Sequence, residues 1–257
     1  MATYLDSILA HHRARASADQ RDLAGLIDAA GACERPRGFR QALADADGLA
    51  VISEVKRRSP SKGDLSIDLD PASMARADVA GGAACLSVLT DHEHFGGSAD
   101  DLEAARSAVG VPVLRKDFTV DLRDICDARL MGADCVLLIV AALDDGELSD
   151  FHALAVELGI DALVETHDEA EVERALGVGA TLIGVNQRDL VTFEVDQQRA
   201  VRVAAALPSS VVRVAESGVR GVEDARALAA AGYDAVLVGE SLVTSGDPGA
   251  AVQALRG

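Results

Sequence analysis

Short apolar runs and segments with helical spacing alternate along the chain from residue 50 onward. Eight runs rich in Val, Ile and Leu predict strands buried on both faces, at residues 50–54, 84–90, 111–117, 135–142, 161–166, 181–187, 211–216 and 235–239. Apolar residues three and four apart predict a helix after each run, at residues 71–79, 99–109, 122–130, 146–158, 169–176, 197–206, 222–230 and from 248. The pattern is therefore a strand–helix unit repeated eight times.

The spacing of the runs selects the architecture. Successive strands begin roughly 20 to 34 residues apart, which is too long for hairpins and suits parallel strands joined by helical crossovers. Eight such units in about 250 residues fit the α/β fold that we predict, a (β/α)8 TIM barrel forming one domain over residues 50–257. A doubly wound open sheet is the alternative, although no G-x-G-x-x-G follows the first run. Residues 1–49 are predicted as a helical extension, with helices at 4–15 and 39–44, that caps the barrel bottom or helps to close its top.

Composition and charge exclude several classes of partner. Acidic residues number 42 against 24 basic ones, and the formal net charge of −18 repels nucleic acid and anionic membrane surfaces. The apolar runs are far shorter than the roughly 20 residues of a membrane-spanning helix, and the N-terminus has no signal-peptide pattern. The four cysteines form no C-x-x-C pair, which argues against disulfides and a zinc site. We expect a soluble, cytoplasmic protein and, as the simplest state, a monomer.

The acidic surplus also suggests a salt-rich environment. The chain has 28 Asp and 21 Arg but only 3 Lys, and a GC-rich genome explains the scarcity of lysine without explaining the negative charge. Such self-repulsion nearly vanishes at molar salt, where the Debye length is about 3 Å. We therefore predict a halophilic protein, with an ordinary acidic protein from a GC-rich mesophile as the alternative.

Polar residues follow the apolar runs at the strand ends, where barrels of this kind place their active sites. Glu54 and Lys56 are two residues apart, so they share one side of an extended strand. Taken singly, each charged residue is equally consistent with a surface ion pair or a solvated charge. Together they predict a convergent catalytic ring of Glu54, Lys56, Lys116, Glu165, Asn186 and Glu216.

The three lysines stand at informative positions. Lys56 and Lys116 lie at predicted strand ends, and Lys62 lies in the loop after the first strand. In a chain that otherwise uses arginine, this placement indicates a need for a compact ammonium, whose pKa burial can lower and which arginine cannot replace as a proton donor. Lys116 is our candidate general acid.

Glycines after the last two strands predict the ligand. Ser217-Gly218 and Gly239-Glu240-Ser241 occur where such barrels bind phosphate, and glycine lets backbone N–H groups approach an anion closely. A phosphorylated small molecule is the implied ligand. Phe95 and Phe118 follow strand ends and form either an apolar wall for a ring-bearing substrate or ordinary core packing.

Histidines offer a different interpretation, a metal site. Asp91-His92-Glu93-His94 contains metal-ligand types, but its loop position and adjacent acidic residues favour solvated histidines. His11 and His12, in the first predicted helix, are interpreted as surface residues. We therefore predict no dedicated metal site. The chain has no Trp and only 3% aromatic residues, so stacking on bases or a flavin has little support.

Seven motifs in order resemble one family. They read E-V-K-R-R-S-P-S-K-G, L-T-D-H-E-H-F-G-G, V-L-R-K-D-F, L-V-E-T-H, I-G-V-N-Q-R-D-L, V-A-E-S-G and V-L-V-G-E-S-L, from Ile52 to Ser241. The chain is similar to indole-3-glycerol-phosphate synthases of tryptophan biosynthesis, which also carry an extra helix ahead of the barrel. The resemblance implies a carboxy-lyase that needs no cofactor and closes the ring of 1-(2-carboxyphenylamino)-1-deoxyribulose 5-phosphate, releasing CO₂ and water.

The resemblance also implies roles for individual residues. Lys116 would protonate the sugar carbonyl, Lys56 would hold the substrate carboxylate, and Glu165 would act in the later dehydration. Which lysine serves the dehydration stays open. The remaining implied residues are Glu54 and Asn186 for positioning, Glu216 and Ser217 completing the pocket, Ser59, Gly218, Gly239 and the Glu240 backbone for the phosphate, and Arg188 for nearby charge.

Two other functions remain as alternatives. A sugar-phosphate isomerase would share the glycine cradle, but such barrels typically use a Cys–Asp or Asp–Asp pair, and the first strand has no cysteine. A catalytically inactive barrel that serves as a binding subunit would have little reason to keep Lys56, Lys116 and Glu165.

Overall fold

Parallel strands close into a barrel in the computed structural model, which describes residues 3–59 and 62–256. Within these residues the eight barrel strands are Ala50–Val55, Cys85–Leu89, Val113–Lys116, Cys135–Ile139, Asp161–Thr166, Leu182–Asn186, Val212–Glu216 and Ala235–Val238. Each strand pairs in parallel with the next along the chain, and the eighth pairs with the first, from Ala50 opposite Ala235 to Ser53 opposite Val238. The predicted (β/α)8 barrel is confirmed, and the open sheet is excluded.

The crossover helices lie close to their predicted positions. They span Pro71–Ala80, Ala99–Ala108, Leu122–Leu130, Asp145–Glu157, Glu169–Gly177, Arg199–Val203, Val222–Ala230 and Pro248–Arg256. The helix predicted at 197–206 is shorter and ends in a 3-10 turn, because Pro208 forces the preceding Leu207 out of the helical region (ψ 117°). Further short elements are the helices His92–Phe95 and Glu240–Val243, the 3-10 turn Val140–Ala142 and a two-stranded ribbon, Arg58–Ser59 with Gly63–Asp64.

The N-terminal extension contacts both ends of the barrel. Its helix Phe39–Ala44 inserts the fully buried Phe39 and Leu43 among the side chains that fill the barrel interior. The backbone N–H of Arg40 donates to Asp161, which begins the fifth strand, so this helix closes the amino-terminal end. The helix Tyr4–Ala18 lies at the opposite end and contributes to the cavity there. A further helix, Leu23–Gly31, was not predicted.

One buried carboxyl group lies between the first strand and its crossover helix. Asp78 is completely buried, and one carboxyl oxygen accepts a hydrogen bond of 2.6 Å from the Ser53 hydroxyl. Within the described residues its other oxygen has no hydrogen-bond partner. Burial raises the pKa of Asp78 to about 6, against the opposing effect of the Ser53 hydrogen bond. Because this folded pKa exceeds the unfolded value, the group favours the folded state fully below about pH 4 and loses that contribution as pH rises through 6.

The substitution Asp78→Asn removes this titration. We expect the free energy of unfolding of the variant, relative to the parent, to rise by about 2–3 kcal/mol between pH 4 and pH 7.5, since each pKa unit corresponds to about 1.4 kcal/mol. Urea unfolding of both proteins, at both pH values and at constant salt, measures this difference in the free energy of unfolding. Asp150→Asn, at an exposed position, is the control. A difference between variant and parent that is the same at both pH values would contradict the assignment.

Candidate active site

A cavity of about 570 Å³ opens at the carboxyl ends of the strands. All fourteen residues singled out from the sequence line it, namely Glu54, Lys56, Ser59, Phe95, Phe118, Lys116, Glu165, Asn186, Arg188, Glu216, Ser217, Gly218, Gly239 and Glu240. The extension adds Tyr4, Leu5 and Ile8 to its wall. The volume suits a small molecule of drug-like size.

Four charged side chains at the centre come from alternate strands. Glu54, Lys116, Glu165 and Glu216 are the last or next-to-last residues of the first, third, fifth and seventh strands, respectively. Alternate strands of such a barrel contribute their inward side chains to one layer, so these four residues belong together by position. The ammonium nitrogen of Lys116 lies 3.3 Å from Glu165 Oε2 and 3.8 Å from Glu216 Oε2. The sequence-predicted ring is thus a real cluster in space.

The charge of Lys116 is maintained by its neighbours. Burial alone lowers the pKa of this amine, but the carboxylates of Glu165, Glu216 and Glu54 outweigh burial and raise the pKa above its usual range. Burial can lower the pKa of a lysine, but the three carboxylates that converge on Lys116, which the sequence did not show, have the larger effect. The amine remains a protonated donor throughout the neutral range.

Glu165 and Glu216 form a pair with unequal proton affinities. Burial raises the pKa of Glu165, but Lys116, His167 and a 3.0 Å hydrogen bond from the Asn186 amide outweigh it and lower the pKa overall. Burial and the adjacent charge of Glu165 raise the pKa of Glu216 well above its usual range. Among the described residues, neither carboxyl oxygen of Glu216 has a hydrogen-bond partner. The environment therefore favours the ionised form of Glu165 and the protonated form of Glu216.

The end of the first strand supplies a second ammonium–carboxylate pair. Lys56 Nζ donates a hydrogen bond of 2.5 Å to Glu54 Oε1, as the two-residue spacing predicts. Gly239 lies against this pair, and a Cβ atom at that position would be 2.5 Å from the same Glu54 oxygen. Glycine at 239 therefore permits the close approach of the eighth strand end to Glu54.

Backbone turns after the seventh and eighth strands form the side of the cavity next to this pair, since the eighth strand pairs with the first. Ser217 and Gly218 both have left-handed φ angles, of 63° and 75°, and a Cβ atom at Gly218 would lie 2.6 Å from Val195. The amides of Gln187 and Gln197 hold the carbonyls of Ser217 and Gly218, each at 2.8 Å. The short helix Glu240–Val243 starts directly after Gly239, whose carbonyl accepts hydrogen bonds from the N–H groups of Leu242 and Val243.

Two cations border this side of the cavity. Lys62 Nζ lies 3.7 Å from Glu240 Oε1, and Arg220 lines the same wall. Ser59, which is 7% exposed, accepts a hydrogen bond from the backbone N–H of Lys62. Arg188 also lines the cavity, but its guanidinium group donates to the carbonyl of Phe193. Lys62 was noted in the sequence as one of only three lysines but was given no role in the site, and Arg220 was not noted, since an arginine in a surface loop gives no distinguishing pattern.

Aromatic rings form the wall near the extension. The ring centroids of Phe95 and Phe118 are 6.4 Å apart, and both residues line the cavity rather than only packing in the core. Tyr4 and Phe193 meet edge to face at 5.1 Å. Phe193 has a left-handed φ of 60°, and its loop carries no sequence signal that would have identified it.

One histidine of the first helix, His12, is buried although the sequence indicated a surface position. His12 is only 5% exposed, and its Nε2 lies 2.8 Å from Asp91 Oδ2. His94 Nδ1 lies 3.2 Å from the same oxygen. The prediction that His12 is a surface residue is wrong, because the helix Tyr4–Ala18 packs against the loop after the second strand.

Comparison with known proteins is consistent along the whole chain. The family model described as indole-3-glycerol phosphate synthase matches residues 5–255. Proteins named indole-3-glycerol phosphate synthase from Mycobacteroides abscessus and Mycobacterium avium are both 53% identical, over 97% and 98% of this chain and 92% and 93% of theirs.

Two solved structures share the fold at low sequence identity. An N-acetylmannosamine-6-phosphate 2-epimerase from Clostridium perfringens is 12% identical, with a TM-score of 0.61 over 77% of this chain and 89% of that one. A thiamine phosphate pyrophosphorylase from Pyrococcus furiosus is 15% identical, with a TM-score of 0.61 over 81% and 94%. These likenesses support the barrel architecture alone.

The unequal protonation of the glutamate pair is measurable. We expect ¹³C NMR of carboxyl-labelled glutamate to show one carboxyl group that is still protonated at pH 7, because burial and Glu165 oppose ionisation of Glu216. Glu216→Gln should remove that signal, and Glu157→Gln at an exposed position should not. A spectrum in which every glutamate is ionised at pH 7 would refute the assignment.

Proposed function

The chain belongs to the indole-3-glycerol phosphate synthase family, and we propose that the cluster around Lys116 performs the chemistry of that enzyme. The reaction, a carbon–carbon lyase step of tryptophan biosynthesis, converts 1-(2-carboxyphenylamino)-1-deoxyribulose 5-phosphate to indole-3-glycerol phosphate, CO₂ and water. The observation that carries the proposal is the position of the Lys116 amine nitrogen, 3.3 Å from a carboxyl oxygen of Glu165, in the cavity at the carboxyl ends of the strands.

Ring closure requires a proton at the sugar carbonyl. The aromatic carbon that bears the carboxylate attacks the ketone carbon, and the carbonyl oxygen takes a proton from Lys116 Nζ to become a hydroxyl group. A positioned acid contributes about 10²–10⁴ to such a step. The raised pKa of Lys116 keeps the proton available, and the developing alkoxide is a far stronger base than the amine.

Two later steps complete the indole ring. The bond to the carboxylate breaks, CO₂ leaves, and the electron pair returns to the ring. The hydroxyl group then leaves as water after receiving a proton, and a base removes one proton from the adjacent sugar carbon to form the second double bond. Glu165, ionised and held by Asn186, is the base in this proposal. Protonated Glu216, 3.8 Å from Lys116, offers a proton within the same cluster.

The rest of the cavity accommodates the two ends of the substrate. Lys56, positioned by Glu54, would bind the substrate carboxylate, and Phe95 and Phe118 would contact its aromatic ring. The phosphate would lie against the backbone of Ser217, Gly218, Gly239 and Glu240, beside Ser59, with charge from Lys62 and Arg220. Arg188 would stabilise the conformation of its loop, since its guanidinium group donates a hydrogen bond to the backbone carbonyl of Phe193.

The comparisons do not favour the two alternatives. The full-length relatives are named as synthases rather than isomerases, and the cavity keeps every member of the ring that an inactive binding subunit could lose.

The substitution Lys116→Ala tests the proposed general acid. We expect kcat to fall by at least 10²-fold with little change in the affinity for the product, because the acid acts on the carbonyl and not on the phosphate. Product fluorescence measures turnover, and equilibrium titration measures affinity. Lys62→Ala should instead raise KM while kcat changes little. Unchanged turnover in Lys116→Ala would refute the assignment.

We also propose that the enzyme works as a monomer in the cytoplasm of a salt-rich cell. All four cysteines are free, as expected in a reducing compartment, and the large exposed apolar side chains among the described residues are few. No helix in the described part of the chain combines the length and apolar character needed to cross a membrane. The charge of −18 supports the salt requirement.

Thermal unfolding in KCl tests the salt requirement. Moving from 0.1 M to 3 M KCl should raise Tm by several degrees, because the Debye length falls from about 10 Å to below 3 Å and screens the net repulsion. Exposed ion pairs such as Arg220–Asp224 are weakened by the same salt, but such pairs contribute little to stability. Sedimentation in both salts reports the oligomeric state. A Tm that is unchanged or lower in 3 M KCl would contradict the proposal.

A further inference from the structure

Three side chains outside the proposed chemistry converge beside the cavity. His12 comes from the first helix, whereas Asp91 and His94 come from the loop after the second strand. His12 Nε2, Asp91 Oδ2 and His94 Nδ1 all lie within 4.8 Å of one another. His12 and Asp91 are buried, and the His94 side chain is 13% exposed. Nothing in the proposed reaction uses either imidazole.

We propose that His12, Asp91 and His94 bind one divalent transition-metal ion, with Zn²⁺ the best match. Two imidazole nitrogens and one carboxylate oxygen form a donor set that zinc prefers. Zinc–ligand bonds of about 2.0–2.2 Å place tetrahedral ligand atoms roughly 3.3 Å apart. The observed separations of 2.8 Å and 3.2 Å from the Asp91 oxygen need only small shifts. The proposal replaces the sequence-based expectation that the chain has no metal site.

The charge of the cluster supports a cation. Asp91 is 2% exposed, and its ion-pair partners within residues 3–59 and 62–256 are only the two imidazoles. The neighbouring Asp117 differs, because the guanidinium group of Arg115 lies 2.9 Å from it. Asp91 Oδ1 also accepts hydrogen bonds from the backbone N–H groups of His94 and Phe95, but neither these groups nor imidazoles carry a permanent charge to balance the buried carboxylate. A divalent ion would supply that balance.

Aromatic and imidazole rings lie around the three side chains. The ring of Phe118 lies 5.4 Å from that of His12, and Tyr4 meets His94 edge to face at 5.9 Å. The His11 ring is 5.7 Å from His12 and 5.8 Å from His94. Such packing helps to fix the orientation of the ligands. Asp117 Oδ1, 3.9 Å from His12 Nε2, or a water molecule would complete the coordination.

The ion would join two separate parts of the chain. Helix Tyr4–Ala18 would be tied to the loop that begins at Asp91, and that helix contributes Tyr4, Leu5 and Ile8 to the substrate cavity. The role is therefore structural: the ion would fix one wall of the cavity without contacting the reacting atoms.

Co²⁺ and Zn²⁺ titrations of the chelator-stripped protein test the site. We expect one Co²⁺ per chain with the visible absorption of a tetrahedral complex, displaced by one Zn²⁺, and Zn²⁺ affinity at least tenfold weaker in His94→Gln and in His12→Asn. His92→Gln, at an exposed position two residues from His94, is the matched control and should bind as the parent does. Uptake below one ion per chain, or equal affinity in all four proteins, would overturn the proposal.

A second measurement covers the case in which the His12 variant does not fold. Anomalous diffraction at the zinc edge from parent crystals soaked in Zn²⁺ should show one peak bounded by His12, Asp91 and His94. No peak at this position, with or without zinc elsewhere, would leave a plain hydrogen-bonded cluster and contradict the site.

Discussion

One ammonium group buried among carboxylates is the constraint on which the site depends. Lys116 keeps its proton inside the barrel only because Glu165, Glu216 and Glu54 surround it. These four residues lie at or next to the ends of alternate strands, so the cluster exists only when the barrel is closed and in register. Closure of the barrel therefore buries the apolar core and also brings the charged side chains together. A change that opens the barrel would disrupt the cluster as well.

The cluster also gives two glutamates, Glu165 and Glu216, different proton affinities. Glu165 and Glu216 are both fully buried glutamates, yet Asn186 and Lys116 stabilise the ionised form of Glu165, whereas Glu216 lacks a hydrogen-bond partner among the described residues. Ionisation of both carboxyl groups in one cluster is unfavourable, because the two negative charges repel each other. A proton donor and a proton acceptor thus arise from identical side chains by environment alone. In a chain with a net charge of −18, lysine ammonium groups supply the local positive charge that an anionic substrate requires.

The spacing of apolar residues predicts most of the fold, because each barrel strand is buried on both faces and each helix on one face. The strand Asp161–Thr166 and the helices Leu122–Leu130 and Val222–Ala230 match their predictions end to end. The helix Leu23–Gly31 was missed because it lies outside the repeat. The site residues were found because barrel strand ends converge by topology. All of them line one cavity, although their individual roles rest on the proposal.

The features that the sequence did not predict depend on contacts between residues far apart in the chain, or on an unusual backbone conformation. The burial of His12 requires the first helix to pack on the loop at Asp91, 79 residues away, and no local pattern encodes that contact. The raised pKa of Lys116 likewise depends on carboxylates from three other strands. Phe193 reaches the cavity wall through a left-handed backbone conformation that is rare for non-glycine residues.

The charge state of Lys116 tests the central claim most directly. Because the chain has only 3 lysines, ¹⁵N-lysine NMR with Lys56→Arg and Lys62→Arg variants assigns each amine signal. The account predicts that Lys116 remains an ammonium beyond the ordinary lysine pKa of about 10.5, and that Glu165→Gln lowers its titration point. A Lys116 amine that is neutral at pH 8 in the parent protein would contradict the account.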